Sequence, residues 1–329
     1  MSSGCAASSA VQQVELRLND TKLPIAVRHP DYERLHADYA DWYDEQAALL
    51  GGGAAFETSN LGDRTNLTAR LFPYPSYARL KDVSVFLSTA AWFDDAFDDA
   101  SSEVLSSYVA VARQEQAPDA TAELRLWDNC MTQAREALPV RLWGRVADGI
   151  ADWLGCIAQP PEEKKFGDLE EYLSWRRPDL AFGCWAALVE HSVGGNLSRL
   201  TGTDELERFH TACFEFAALV NDLVSYRKEL LEGDEVNAIA VLRRGGADLQ
   251  EAVDMVCERI NRAESAFWDL GRDLRARWPG AEDVPAFLEA WKYNLGGYLS
   301  WCLHSPRYHG EGYYWDGSLP TRMALPVTT

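Results

Sequence analysis

Four carboxylates crowd one short stretch of the chain: Asp94, Asp95, Asp98 and Asp99, in WFDDAFDDA. On a helix Asp94 stacks with Asp98 and Asp95 with Asp99, one turn apart. Like charges so placed repel one another unless a cation sits among them. Oxygen ligands suit a hard divalent ion, and Mg²⁺ commonly bridges carboxylates to substrate phosphates. A solvated acidic helix end is the ordinary reading of such a cluster. The preceding VSVFLSTAAWF argues for more, because it is apolar nearly all round. A buried helix ending in carboxylates would put ions at the mouth of a cavity.

A second segment repeats this layout. In FEFAALVNDLVSYRKELL (214–231), Asn221, Ser225 and Glu229 follow one another at four-residue steps. Each step drifts by about 40° on an α-helix, so the three share one stripe. Their amide, hydroxyl and carboxylate oxygens can converge on one hard cation. By itself the pattern is that of any polar helix face. The apolar FEFAALV before it again gives a buried helix that ends in ligands.

The elements that must position these groups are helices. Helical periodicity covers residues 33–50, 78–100, 121–136, 140–157, 169–175, 180–193, 204–231, 248–276 and 284–304, with QPPEEKK (159–165) as a loop. Alternating strand patterns between turn signals are absent, as are repeats and any linker long enough to separate two domains. The expectation is an all-α fold: a single helical bundle around a central cavity over 26–312. A flexible N-terminal tail (1–25) and a C-terminal tail (313–329) would flank it.

Composition narrows the function. The 329 residues carry 31 Lys+Arg against 51 Asp+Glu, a formal charge of −20. That balance excludes a nucleic-acid binder, which needs a basic face, and a protein held on anionic lipid by basic clusters. With 47% apolar residues the chain is globular rather than disordered. No apolar run is long enough to span a bilayer, so no membrane anchor is expected. The start, MSSGCAASSA, lacks the basic and apolar regions of a secretory signal. Seven cysteines are scattered singly without a CxxC pair, which points to reduced thiols in a cytosol. The six histidines (29, 36, 191, 210, 304 and 309) show no ligand spacing, which counts against a His/Asp metallo-phosphohydrolase.

Taken together, the motifs resemble those of a family. DDAFD (94–98) resembles the aspartate-rich motif of class I terpene synthases, and NDLVSYRKE (221–229) fits their NDxxSxxxE motif without a mismatch. SPRYHG places Arg307-Tyr308 78 residues after Glu229, where such synthases carry an Arg-Tyr pair. EYLSWRRPD (171–179) looks like the segment whose arginine senses diphosphate. The likeness covers about residues 26–310 and is closest to microbial sesquiterpene synthases.

The resemblance implies a class I terpenoid synthase fold and a Mg²⁺-dependent cyclase acting on a linear prenyl diphosphate. Farnesyl diphosphate (C15) is the expected substrate, giving a sesquiterpene hydrocarbon or alcohol; geranylgeranyl diphosphate (C20) is the alternative. Asp94, Asp95 and Asp98 would hold two ions, and Asn221, Ser225 and Glu229 a third. Arg176, Lys228 and Arg307 would face the diphosphate, with Tyr308 donating a hydrogen bond. Arg176 is preferred over Arg177 as the sensor because Asp179 then follows three places on, as a linker. Leu180, however, stands where the family carries glycine. Three Mg²⁺ bring six positive charges to a diphosphate bearing about three negative ones, inverting the sign of an acidic site.

Carbocations formed next need a dry pocket walled by aromatic faces. Phe86, Trp92, Phe93, Phe182, Trp185, Phe214 and Trp301 are the candidates, with ordinary core packing as their other reading. A chain-elongating prenyl transferase would need a second aspartate-rich motif where 221–229 carries Asn, Ser and Glu. A non-catalytic isoprenoid-binding protein is opposed by intact ligands at all six metal positions. A monomer and a homodimer are both compatible with the sequence.

Overall fold

Helix ends follow from local chemistry in the computed structural model, which describes residues 11–25, 27–49, 61–97, 100–115, 121–160, 163–310 and 312–326. In chain order the elements are β1 (Val11–Glu15), α1 (Tyr32–Leu49), α2 (Leu61–Leu71), α3 (Tyr77–Phe97), α4 (Ser102–Ala112) and α5 (Ala122–Ala137). Next come α6 (Val140–Ile157), α7 (Leu169–Asp179), α8 (Phe182–Val193), α9 (Asp204–Glu232) and α10 (Ala238–Arg244). The chain ends in α11 (Leu249–Arg277), α12 (Asp283–His304), α13 (Pro306–His309) and β2 (Arg322–Pro326).

The Thr203 hydroxyl caps α9, followed by Asp204, Glu205 and Glu207 in the first turn, where the helix dipole favours negative charge. At the far end Gly233 adopts φ 82°, a left-handed conformation that suits a residue without Cβ. Asp248 and Glu251 form a reciprocal capping box that starts α11. The two 29-residue helices α9 and α11 pack side by side, and α9 also packs on α12. α8 bridges α6 and α12, while α3 lies against α2, α5 and α8. Gly296 and Gly297 on α12 permit close approach: a Cβ at Gly297 would come within 1.9 Å of the Arg70 carbonyl oxygen on α2.

Nine expected helices are present within a few residues of their predicted bounds. Four shorter ones, α2, α4, α10 and α13, are additions. α7 runs beyond its expected end at 175 to Asp179 and carries Pro178 in its last turn. The larger difference concerns the two stretches read as tails. β1 pairs antiparallel with β2, Val11 opposite Pro326 and Glu15 opposite Arg322. The segment after β1 is fastened along α11 by side chains that read its backbone. Gln250 accepts from the Glu15 N–H at 2.8 Å, Asn261 from the Asn19 N–H at 2.9 Å and Glu264 from the Lys22 N–H at 2.9 Å. Pairing across almost the whole chain leaves no local periodicity to read.

The six described cysteines are all unpaired. Among the described residues no helix is long and apolar enough to cross a membrane.

Candidate metal and diphosphate site

The stripe predicted on α9 exists, and two of its members, Asn221 and Glu229, are drawn into one polar network. Asn221 sits at its centre. Its Nδ2 donates to the Tyr308 hydroxyl at 2.9 Å, and its Oδ1 accepts from Arg176 Nη2 at 2.9 Å. One turn on, the buried Ser225 hydroxyl has no hydrogen-bond partner of ordinary geometry, although it lies near enough to Glu229 to favour that carboxylate's charge. Glu229 accepts from Asn237 Nδ2 at 2.8 Å. Burial, with Asp222 next to it, pushes the Glu229 carboxyl up to about 7, against the pull of Arg176, Ser225 and Asn237. Lys228 shares this end of α9 and pairs with Glu232 at 2.6 Å.

An orphaned hydroxyl between an amide oxygen and a carboxylate, all on one helix face, is a donor set that fits a hard divalent cation. The aspartates expected to complete the site follow the apolar run of α3. Asp94 and Asp95 lie in its last turn, but their side chains, and that of Trp92, are outside what is described; Asp98 lies outside the described residues altogether. Among the described residues no group of three His, Cys, Asp or Glu gathers.

The structure separates the two candidate arginines. Arg176 on α7 bonds Asn221, lies 3.4 Å from Asp222 and pairs with Asp179 one turn on. Arg177 faces elsewhere: it pairs with Glu207 at 2.6 Å and its guanidinium lies 5.3 Å from the Phe182 ring centroid. The break after α7 falls one residue later than the resemblance suggests. Leu180 caps α7, and Ala181 takes the left-handed conformation (φ 49°, ψ 35°) before α8 begins. A non-glycine residue held there costs about 1–2 kcal/mol.

Arg307 and Tyr308 stand on α13, just after the corner at which Ser305 and Trp301 both donate to Asp63, at 2.6 and 3.0 Å. Tyr308 is buried and Arg307 exposed. From Tyr308 a chain of aromatic rings runs inward. Trp301 meets it edge-on at 5.5 Å, Tyr298 stacks on Trp301 at 5.9 Å, and Trp185 meets Tyr298 at 4.8 Å. Phe182 and then Phe214 continue the chain at 6.3 and 5.6 Å. Trp185, Phe182, Phe214 and Trp301, four of the seven expected wall residues, are thereby brought together. The described ring neighbours of Phe93 are Phe97, Tyr108 and Trp127, where α3 packs on α4 and α5. Phe86 is buried on α3.

Asp222 is the residue that sequence reasoning passed over. It is fully buried and accepts from the Tyr172 hydroxyl at 2.6 Å and from the Ala238 N–H at 3.0 Å. Asn237, which caps α10, donates both to the Asp222 carbonyl and to Glu229. These contacts lock α7 and α10 to α9 and so fix where Arg176 and Glu229 stand. Its place beside Asn221 in the motif was the available signal. That its carboxylate turns away from the stripe, into the protein, was not visible.

Comparison with known proteins gives the family and the fold. The family model described as terpene synthase family 2, C-terminal metal binding, matches residues 86–266. A talaropentaene synthase from Talaromyces verruculosus is 24% identical over 321 residues, 92% of this chain; the chain spans 45% of that protein's length. A sesquiterpene synthase from Metarhizium guizhouense is 23% identical, the match covering 96% of this chain and 95% of the relative. Among solved structures, germacradien-4-ol synthase from Streptomyces citricolor superimposes with a TM-score of 0.71 at 18% identity, covering 87% of this chain and 99% of that one. That likeness establishes the fold.

Proposed function

Because the chain belongs to terpene synthase family 2, whose C-terminal metal-binding model spans more than half of it, we propose that it is a Mg²⁺-dependent class I terpene cyclase. It would ionise farnesyl diphosphate and fold the resulting cation into a sesquiterpene hydrocarbon or alcohol. The carrying observation is the convergence of Arg176 and Tyr308 on Asn221, at the head of a stripe whose next member, Ser225, is a buried hydroxyl lacking a hydrogen-bond partner of ordinary geometry.

In this reading Asp94, Asp95 and Asp98 hold Mg²⁺ from the α3 side, and Asn221, Ser225 and Glu229 hold it from α9. When bound, Mg²⁺ neutralises charge building on the diphosphate as its C–O bond ionises. Arg176, Lys228 and Arg307 bind the diphosphate, and Tyr308 orients it through its hydroxyl. Asp179 holds Arg176 in place beside the break at Ala181. The wall of Phe182, Trp185, Phe214 and Trp301 excludes water and turns aromatic faces to the cation. The relative named a sesquiterpene synthase, which this chain matches nearly end to end, supports the C15 choice.

The test is incubation with C10, C15 and C20 prenyl diphosphates, with Mg²⁺ or EDTA, and gas chromatography–mass spectrometry of the extract. A cyclic C15 product lost with EDTA is the expected result. A cyclic product from the C20 substrate alone would move the assignment to diterpenes. No turnover with any of the three would leave an isoprenoid-binding protein.

A further inference from the structure

One buried nitrogen has no use in the mechanism so far. His210 lies on α9, 11 residues before Asn221, and three turns of α-helix bring it back to within about 20° of the same face. Phe214, between them, falls on that face too. The helical rise puts His210 about 16 Å deeper than Asn221, at the end of the bundle remote from the metal ligands. Only 7% of the residue is exposed. Its ring is boxed by Phe182 at 6.0 Å, Phe209 at 6.3 Å, Phe287 at 6.0 Å and Trp291 at 5.8 Å. Within that box Nε2 has no hydrogen-bond partner. Buried polar atoms are rarely left so without a ligand or a role.

We propose that His210 is the proton acceptor that ends the cation cascade, a reading that rests on the cyclase assignment above. The tautomer with its proton on Nδ1 offers the Nε2 lone pair. A C–H bond next to the cationic carbon breaks, its electron pair becomes the C=C bond of the product, and the proton bonds to Nε2. The imidazolium then gives that proton to water as the product leaves. The four aromatic rings packed about the imidazole would stabilise a cation that reaches Nε2.

The electrostatics favour this use. Burial, helped by the positive charges of Arg145 and Arg177, pushes the imidazole down to about 3. It therefore stays neutral at working pH and does not repel the incoming cation. A base so weak still suffices, because a carbocation is far more acidic than imidazolium, and its weakness returns the proton afterwards.

The experiment compares wild type with His210→Phe and His210→Gln on farnesyl diphosphate and Mg²⁺, reading diphosphate release and product profile together. Phe keeps the ring without the nitrogen; Gln keeps a polar group without the basicity. The proposal predicts diphosphate release within about three-fold of wild type, while the main product's share falls by about ten-fold or more in both variants. New products would carry the double bond elsewhere or a hydroxyl. Diphosphate release also reports folding, and His210→Asn replaces any variant that fails to fold. A wild-type profile from His210→Phe would mean that the ring only fills space, which overturns the proposal. Absence of diphosphate release from the wild type would instead count against the cyclase reading.

Discussion

Arg176 donates to Asn221 Oδ1 at 2.9 Å, across 45 residues of sequence. The amide oxygen that would serve a cation is thus held by the guanidinium that would serve the diphosphate. One oxygen serves both poorly, so a diphosphate that draws Arg176 away would release Asn221 for metal. Metal and diphosphate binding would then be coupled through one hydrogen bond.

Replacing the guanidinium tests that coupling. Arg176→Lys keeps the charge but loses the planar fork, and diphosphate release should fall by about 100-fold. Arg177→Ala, whose arginine pairs with Glu207 instead, should change turnover by no more than about three-fold. Steady-state rates of diphosphate release decide between them; equal losses would contradict the assignment of Arg176.

Asp222 should matter for stability before it matters for rate. Asp222→Ala strips the acceptor from Tyr172 and from the Ala238 N–H and leaves Arg176 facing a buried gap. Breaking a buried charge pair costs about 3–5 kcal/mol, which a domain of this size shows as a fall in Tm of about 4–7 °C. Thermal unfolding followed by circular dichroism measures it.

Much of this site could be read from the sequence, and the reason is local. Asn221, Ser225 and Glu229 lie within two turns of one helix, so spacing alone puts them on one face. The apolar runs before them marked α3 and α9 as buried. The remainder depended on contacts between distant segments. Nothing near Val11 announces that it lies opposite Pro326, and nothing near Asp222 says that Tyr172 and Ala238 will enclose its carboxylate. Phe93 and Phe182 look alike in the sequence, yet Phe93 meets Tyr108 and Trp127 while Phe182 meets Trp185 and Phe214. The sequence shows Leu180 where the family carries glycine, but not that the turn is made by a left-handed Ala181 one residue on.

Glu229 carries a pH prediction. With its carboxyl pushed up to about 7, it is protonated below that pH and must lose the proton before it can hold a cation. Mg²⁺ affinity should therefore strengthen as pH rises from 6 to 8 and weaken as it falls. Calorimetric titration with Mg²⁺ and inorganic diphosphate reads this directly, and Glu229→Gln should flatten the dependence.

Trp301 joins the corner at Asp63 to the aromatic chain. Trp301→Ala should redistribute the products, with the main product's share changing by about three-fold or more, while substrate consumption changes less. An unaltered profile by gas chromatography–mass spectrometry would return the residue to core packing.

On the α3 side, Asp94→Ala should lower turnover by at least about 100-fold. Its Tm should stay within a few degrees of wild type, because the change removes one of four like charges adjacent in sequence. Diphosphate release and a thermal melt on the same sample check both halves.

In the proposed site Asn221, Ser225 and Glu229 would hold a metal ion that neutralises charge on the diphosphate. The most direct test is a crystal structure with Mn²⁺ and inorganic diphosphate, using anomalous scattering to place the metal. The expected result is an Mn²⁺ peak within bonding distance of Asn221 Oδ1, Ser225 Oγ and the Glu229 carboxylate, with Arg176 moved from Asn221 onto the diphosphate. Diphosphate bound with no metal on that stripe, and the Arg176–Asn221 hydrogen bond still in place, would contradict it.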